Sequence, residues 1–197
     1  MLPENTTSSY PLPALMIPPD DRVTTALVDY ERGGVAIQDV TQGLNYQNWT
    51  CYVEGVAIKL KADNADPITM FERPGVTELS FTFDQNMNPT VAFCTADDMI
   101  LWWFDSTIVD HRFTSFGSGF KNPRITLDDK RMEYSPVSDI IFAYLKYVAA
   151  TNTYSLCYRQ QRDRFNTERV LRDGYNRKAK LKNVGMGLNW RLQFEMV

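Results

Sequence analysis

The sequence predicts an all-β fold made of repeated four-strand units of about 44 residues, β-propeller-like, with a β-sandwich as the alternative. Three observations lead there. First, one pattern is written twice between Phe81 and Arg169. FTFDQ (Phe81–Gln85), a turn closed by Pro89, TVAFC (Thr90–Cys94) and MILWWFD (Met99–Asp105) match ITLDD (Ile125–Asp129), a turn around Pro136, DIIFAYL (Asp139–Leu145) and YSLCYRQQRD (Tyr154–Asp163). Each copy ends in a fourth extended piece, HRFTSF (His111–Phe116) or TERVL (Thr167–Leu171), and Phe81 to Ile125 is a step of 44 residues. Second, VAIQDVTQGLNY (Val35–Tyr46) and AKLKNVGMGLNW (Ala179–Trp190) align without gaps 144 residues apart. Third, β-branched and aromatic residues fall in short runs separated by Asn, Asp, Gly and Pro, the signature of strands.

Residues 1–22 stand apart as a proline-rich arm, and residues 23–197 form the all-β domain of about 3.5 units. The arm carries five prolines (Pro3, Pro11, Pro13, Pro18, Pro19). Proline lacks a backbone donor and fixes φ, so the segment runs extended rather than joining a sheet. It reads either as a tail or as an arm laid on a neighbouring subunit through Tyr10, Leu12, Leu15, Met16 and Ile17. It lacks the basic start of a signal peptide. The first unit is expected to start near Val35 and to continue with NWTCYV (Asn48–Val53), VAIKL (Val56–Leu60) and ITMF (Ile68–Phe71); the others start near 81, 125 and 179. The only stretch compatible with a helix is Gln160–Arg172, and it suits a strand equally well. The last unit stops at Val197 and is expected to pair beside strands of the first, covering Leu188, Trp190, Leu192 and Phe194.

Cys51, Cys94 and Cys157 lie in apolar strands. An odd count in such places implies reduced thiols used as small hydrophobes, in a chain made in a reducing compartment. With one histidine, His111, and no CxxC, no metal site is expected. No run of about 20 apolar residues offers a membrane span.

The net charge of −3 is unevenly spread. Tyr158–Lys182 holds nine basic residues against three acidic ones, an excess of +6 that leaves −9 for the rest. The segment is either a solvated face balanced by acids on other strands or a docking surface for an acidic partner, with Arg159, Arg162, Arg164 and Arg169 as its contacts. Nucleic acid is disfavoured by the overall charge and by the lack of a recognisable module.

Catalytic patterns are missing from the sequence. His111 reads as an exposed strand residue, no GxSxG surrounds a serine, and Gly117–Gly119 lacks the rest of a phosphate loop. Asp97-Asp98 and Asp128-Asp129 lie at turns, where aspartate bonds its own backbone. Two carboxylates would suffice for a glycosidase, but the sialidase Asp-box is not found. No cofactor is implied. Adjacent Trp102 and Trp103 should point to opposite faces, one into the core and one outward to a partner protein or a sugar.

The strings FDQNMNP, ITLDDKR, SDIIFAYL and YRQQRDRF resemble a group of tail-associated virion proteins of tailed bacteriophages, over about Phe81–Arg172. The resemblance implies a non-enzymatic structural or adsorption-apparatus component, assembled in the host cytoplasm and located in the virion. Its partners would be other tail proteins and further copies of itself, and a host-surface glycan is the alternative partner. Within that reading Asp84, Asp128 and Asp129 cap turns, and Arg131, Arg159 and Arg162 pair with them or with adjacent subunits.

Overall fold

The computed structural model describes residues 22–29, 46–63, 65–128, 138–186 and 191–197. The described elements are strands, apart from one 3-10 turn at Gln161–Asp163. The first unit is an antiparallel meander of β1 (Val23–Asp29), β2 (Tyr46–Glu54), β3 (Ala57–Ala62) and β4 (Ile68–Glu72). The second is β5 (Glu78–Phe83), β6 (Pro89–Cys94), β7 (Met99–Asp105) and β8 (Asp110–Ser115). The third is β9 (Phe120–Asp128), β10 (Asp139–Val148), β11 (Thr153–Gln160) and β12 (Arg169–Tyr175), and a hairpin of β13 (Leu181–Met186) and β14 (Leu192–Met196) follows. The all-β, four-strand-unit reading therefore holds, and Gln160–Arg172 resolves into the short turn and the start of β12.

The units stack face to face like blades, and each gap is filled by its own core. Cys51, Ile58 and Leu60 of the first unit meet Leu79, Phe81, Val91 and Phe93 of the second. Ala92, Cys94, Leu101 and Trp103 of the second meet Ile125, Ile140, Phe142 and Cys157 of the third. Ala143, Leu145 and Leu156 of the third meet Leu181 and Val184 of the hairpin. Successive strand residues point to opposite faces, so a sheet packed on both sides reads as a continuous apolar run. DIIFAYL and TVAFC are such runs, and their sheets are the two inner ones.

The first strands of consecutive units lie side by side, and polar side chains tie them together. Ser80 Oγ accepts the Ile125 N–H at 3.0 Å. Asn122 donates its backbone N–H to Glu78 Oε2 at 2.5 Å and its amide to Glu78 Oε1 at 3.2 Å, while its Oδ1 accepts the Leu181 N–H at 3.3 Å. Asn122 can do this because β9 bulges there: the register slips between Ala143 and Leu145, and Asn122 takes a left-handed φ of 52°. Pro123 fits inside the strand for the same reason.

The two ends of the stack are polar. On the outer face of the first unit lie Asn48, Thr50, Tyr52, Lys59 and Lys61, alternating with the buried set. Lys182 and Glu195 form an ion pair at 2.7 Å on the hairpin. Terminal repeats with polar outer faces cap an open array.

Several expectations change. The first unit begins at Val23, since β1 precedes β2 in the sheet, and residues 35–45 lie outside the described residues. Among the described strands β14 pairs only with β13, so the C-terminal segment completes a hairpin instead of joining the first unit. Gly187–Trp190, Asp129, Arg131 and residues 1–21 of the arm also lie outside the described residues. The three cysteines are free and buried, but they are not equivalent: Cys51 and Cys94 sit on second strands and Cys157 on a third.

Candidate functional site

The second and third units meet along the β7–β8 hairpin, and the arginine-rich turn after β11 closes over it. The hairpin register pairs Trp103 with Arg112 and Leu101 with Thr114. Alternation therefore puts Trp103, Asp105, Arg112 and Thr114 on the face that looks toward the third unit. Trp103 is 2% exposed and its Nε1–H donates to Thr114 Oγ1 at 3.0 Å. Trp102 goes to the opposite face, where it stacks on His111 at 4.0 Å and 12° and lies 4.9 Å from Phe71. Neither indole is the outward platform expected from alternation, because the second sheet has a neighbouring unit on each side. His111 is likewise half-buried, its Nε2 3.1 Å from the Pro89 carbonyl oxygen.

Asp105 organises the junction and is 1% exposed. Its Oδ1 accepts the Thr107 N–H at 3.0 Å and the Thr107 hydroxyl at 2.7 Å. Its Oδ2 accepts Arg112 Nη1 at 3.2 Å and Arg164 Nη2 at 2.6 Å. Burial alone would raise its pKa, but these hydrogen bonds outweigh it and hold the carboxyl well below the usual carboxylate range.

The turn that delivers Arg164 is strained and firmly held. Arg164 and Phe165 both adopt left-handed φ, 57° and 60°, which is uncommon for any side chain and an outlier for an aromatic one. Two features offset that cost. Phe165 is buried edge-on against Trp103, ring centroids 5.1 Å apart. Arg159 reaches back from β11 and donates Nη1 to the carbonyl oxygens of Phe165 at 2.8 Å and Asn166 at 2.9 Å. Its Nε donates to the Tyr144 hydroxyl at 2.7 Å, and the Tyr144 hydroxyl donates to Glu168 Oε2 at 2.8 Å. Lys146 Nζ completes the network at 2.6 Å from Glu168 Oε1. Burial works against the Glu168 charge, yet Lys146 and Tyr144 bring its pKa below the ordinary value. Burial and the Glu168 bond push the Tyr144 phenol far up.

Trp103, Arg112, Thr114, Arg164 and Asn166 line a cavity of about 240 Å³. Two of the residues singled out in the sequence, Trp103 and Arg164, thus come together. Arg159 lies behind them as the clamp. Arg162 is turned to Asp139, which accepts its N–H at 2.8 Å and its Nε–H at 2.6 Å. Arg169 donates to Asp163 at 3.2 Å and lies over Tyr158. All four arginines of the expected docking surface therefore have a carboxylate of their own chain. Arg162, Arg164 and Arg169 keep much of their side chains open to solvent, whereas Arg159 does not.

Sequence reasoning missed Asp105, Arg112, Thr114 and Asn166. The first three were accessible to hairpin register, since a loop at Ser106–Val109 fixes Trp103 opposite Arg112. Asn166 gave no signal. Of the turn aspartates, Asp84 does cap its turn, accepting the N–H groups of Asn86 and Asn88, each at 2.8 Å. Asp98 instead reaches across to the end of β8, accepting the Gly117 N–H at 2.8 Å and the Ser115 hydroxyl at 2.9 Å. Among the described residues no group of three or more His, Cys, Asp or Glu side chains is arranged to hold a metal. No protein-family model matches the chain, and no curated protein or solved structure is found to be similar to it.

Proposed function

We propose that the chain is a non-enzymatic structural component of a tailed-bacteriophage virion, in the tail or adsorption apparatus. It works as an oligomer through protein–protein contacts. The observation that carries this reading is the state of the outer strands. β4, β8 and β12 each end a sheet, and they expose Ile68, Phe113, Val170 and Leu171, each with about half or more of its surface open. An open edge with apolar side chains invites pairing with another chain. The resemblance of the Phe81–Arg172 strings to tail-associated proteins supplies the setting, and the exposed parts of Arg162 and Arg169 supply charged contacts around β12. The polar groups that link the first strands of consecutive units, Ser80, Glu78 and Asn122, are by contrast bonded across the junctions and hold the stack together.

The test is sedimentation velocity of the purified chain, alone and mixed with tail proteins of the particle, with antibody labelling of intact virions in the electron microscope. Self-association or a defined complex, lost on Val170→Lys or Phe113→Lys, together with label at the tail, is the expected result. A strict monomer that ignores those proteins and leaves virions unlabelled overturns the reading. The cavity beneath the arginine turn favours a second reading, recognition of carbohydrate at the host surface.

A further inference from the structure

We infer that the cavity between the second and third units binds the carboxylate of a single acidic sugar. This deepens the carbohydrate reading and is independent of the virion reading. Four observations converge on it.

The first is charge. Two guanidiniums share one hydrogen-bonded carboxylate, Asp105, so a single negative charge is divided between two cations. Asp105 is saturated, with both oxygens already accepting two hydrogen bonds each. A guanidinium has five N–H donors, and among the described residues the hydrogen bonds of Arg112 and Arg164 side chains go only to Asp105. Their side chains are 42% and 45% exposed, so the remaining donors are available. A second carboxylate is the acceptor whose planar geometry suits such a fork.

The second is the neutral lining. The Asn166 amide has no hydrogen-bond partner among the described residues, and Thr114 Oγ1 only accepts from Trp103, which leaves its own hydrogen to donate. These are partners for sugar hydroxyls. Trp103, almost wholly buried, forms the floor of the cavity and is too enclosed to act as a stacking platform.

The third is size. At about 240 Å³ the space lies below the usual range for larger ligands and fits one ring rather than an extended oligosaccharide. The fourth is preorganisation. Arg164 and Asn166 come from a turn with two consecutive left-handed residues, clamped by Arg159 at the carbonyls of Phe165 and Asn166. Strain retained and braced in this way is typical of binding positions. It also removes the ordering cost that a flexible arginine would bring to binding.

Calorimetric titration of the full chain with D-glucuronate, D-glucose and inorganic phosphate tests the inference. Glucuronate should bind at least tenfold more tightly than either of the others. Arg112→Gln should weaken it at least tenfold, since Arg164 and Thr107 still hold Asp105. Asn166→Ala, which removes no described side-chain hydrogen bond, should weaken it severalfold without lowering thermal stability. Glucuronate binding no tighter than glucose, phosphate binding more tightly than glucuronate, or affinity unchanged in both variants would overturn the inference. None of these results bears on whether the chain self-associates.

Discussion

Phe165→Ala should detach the arginine turn from the β7–β8 hairpin, and its cost can be worked from the contacts. The ring is buried between Trp103 and Phe142, at centroid distances of 5.1 and 6.5 Å. Removing a buried phenylalanine ring costs about 3–5 kcal/mol, of which the edge-on pair with Trp103 supplies roughly 0.5–1.5. The backbone gives nothing back, because alanine at φ 60° is still strained. Phe165→Gly keeps the cavity but relaxes that strain, so it should be less damaging than Phe165→Ala by about 1 kcal/mol. In a chain of 197 residues the alanine variant should melt roughly 6–20 °C lower. Urea unfolding followed by tryptophan fluorescence measures both. A loss below about 1 kcal/mol for alanine, or glycine more damaging than alanine, would refute the view that a buried anchor holds a strained turn in place.

Three further outcomes are expected. Burial raises the Cys51 and Cys94 thiols far above their ordinary value and pushes Cys157 up to about 11, so none should react quickly with a disulfide reagent before denaturation; fast labelling of two or more in the native protein would count against the strand packing. Asp105 and Glu168 are both held below their ordinary pKa, so their contribution is complete above the unfolded carboxylate range of about 4 and is lost as pH falls through the lower folded values. Asp105→Asn should therefore be less stable at neutral pH and show a shallower decline in acid, as read by melting temperature against pH; an unchanged acid slope would contradict this. Deleting Leu192–Val197 should uncover Leu181 and Val184 and leave the protein insoluble, whereas a soluble truncation of unchanged melting temperature would show that the hairpin is dispensable.

The strands and their grouping were legible because sheet pairing leaves local marks. TVAFC, MILWWFD and DIIFAYL are apolar on both alternating faces, apart from Thr90, Asp105 and Asp139 at their ends, since both faces of their sheets are buried. The GLN-aromatic alignment misled the placement of the first unit, because Val23–Asp29 carries no matching string yet fills the first-strand position. The junction site was only half legible. Trp103 and Arg164 stood out by type, but Asp105 looked like any hairpin-end aspartate. Its role depends on a guanidinium 59 residues away, and that proximity comes from unit stacking. The destination of Arg164 was hidden for the same reason, since its acid is on β7 of the preceding unit, whereas Arg162 meets Asp139 of the neighbouring strand β10 through β10–β11 pairing within the third unit.

Asn122 carries a consequence for how the molecule comes apart. Arrays of repeats usually behave as chains of nearest neighbours, in which an end unit can fray while the rest stays folded. Here one amide side chain, buried at a bulge in β9, bonds back to Glu78 of the second unit and forward to Leu181 of the terminal hairpin. Opening the hairpin strips a buried acceptor of its partner, and withdrawing the second unit strips the donors of the same residue. The local free energies of units two, three and the hairpin are thereby linked through one position. Their slowest-exchanging amides are expected to open in a single cooperative step, a molecule that yields all at once where its repeats would suggest fraying from one end.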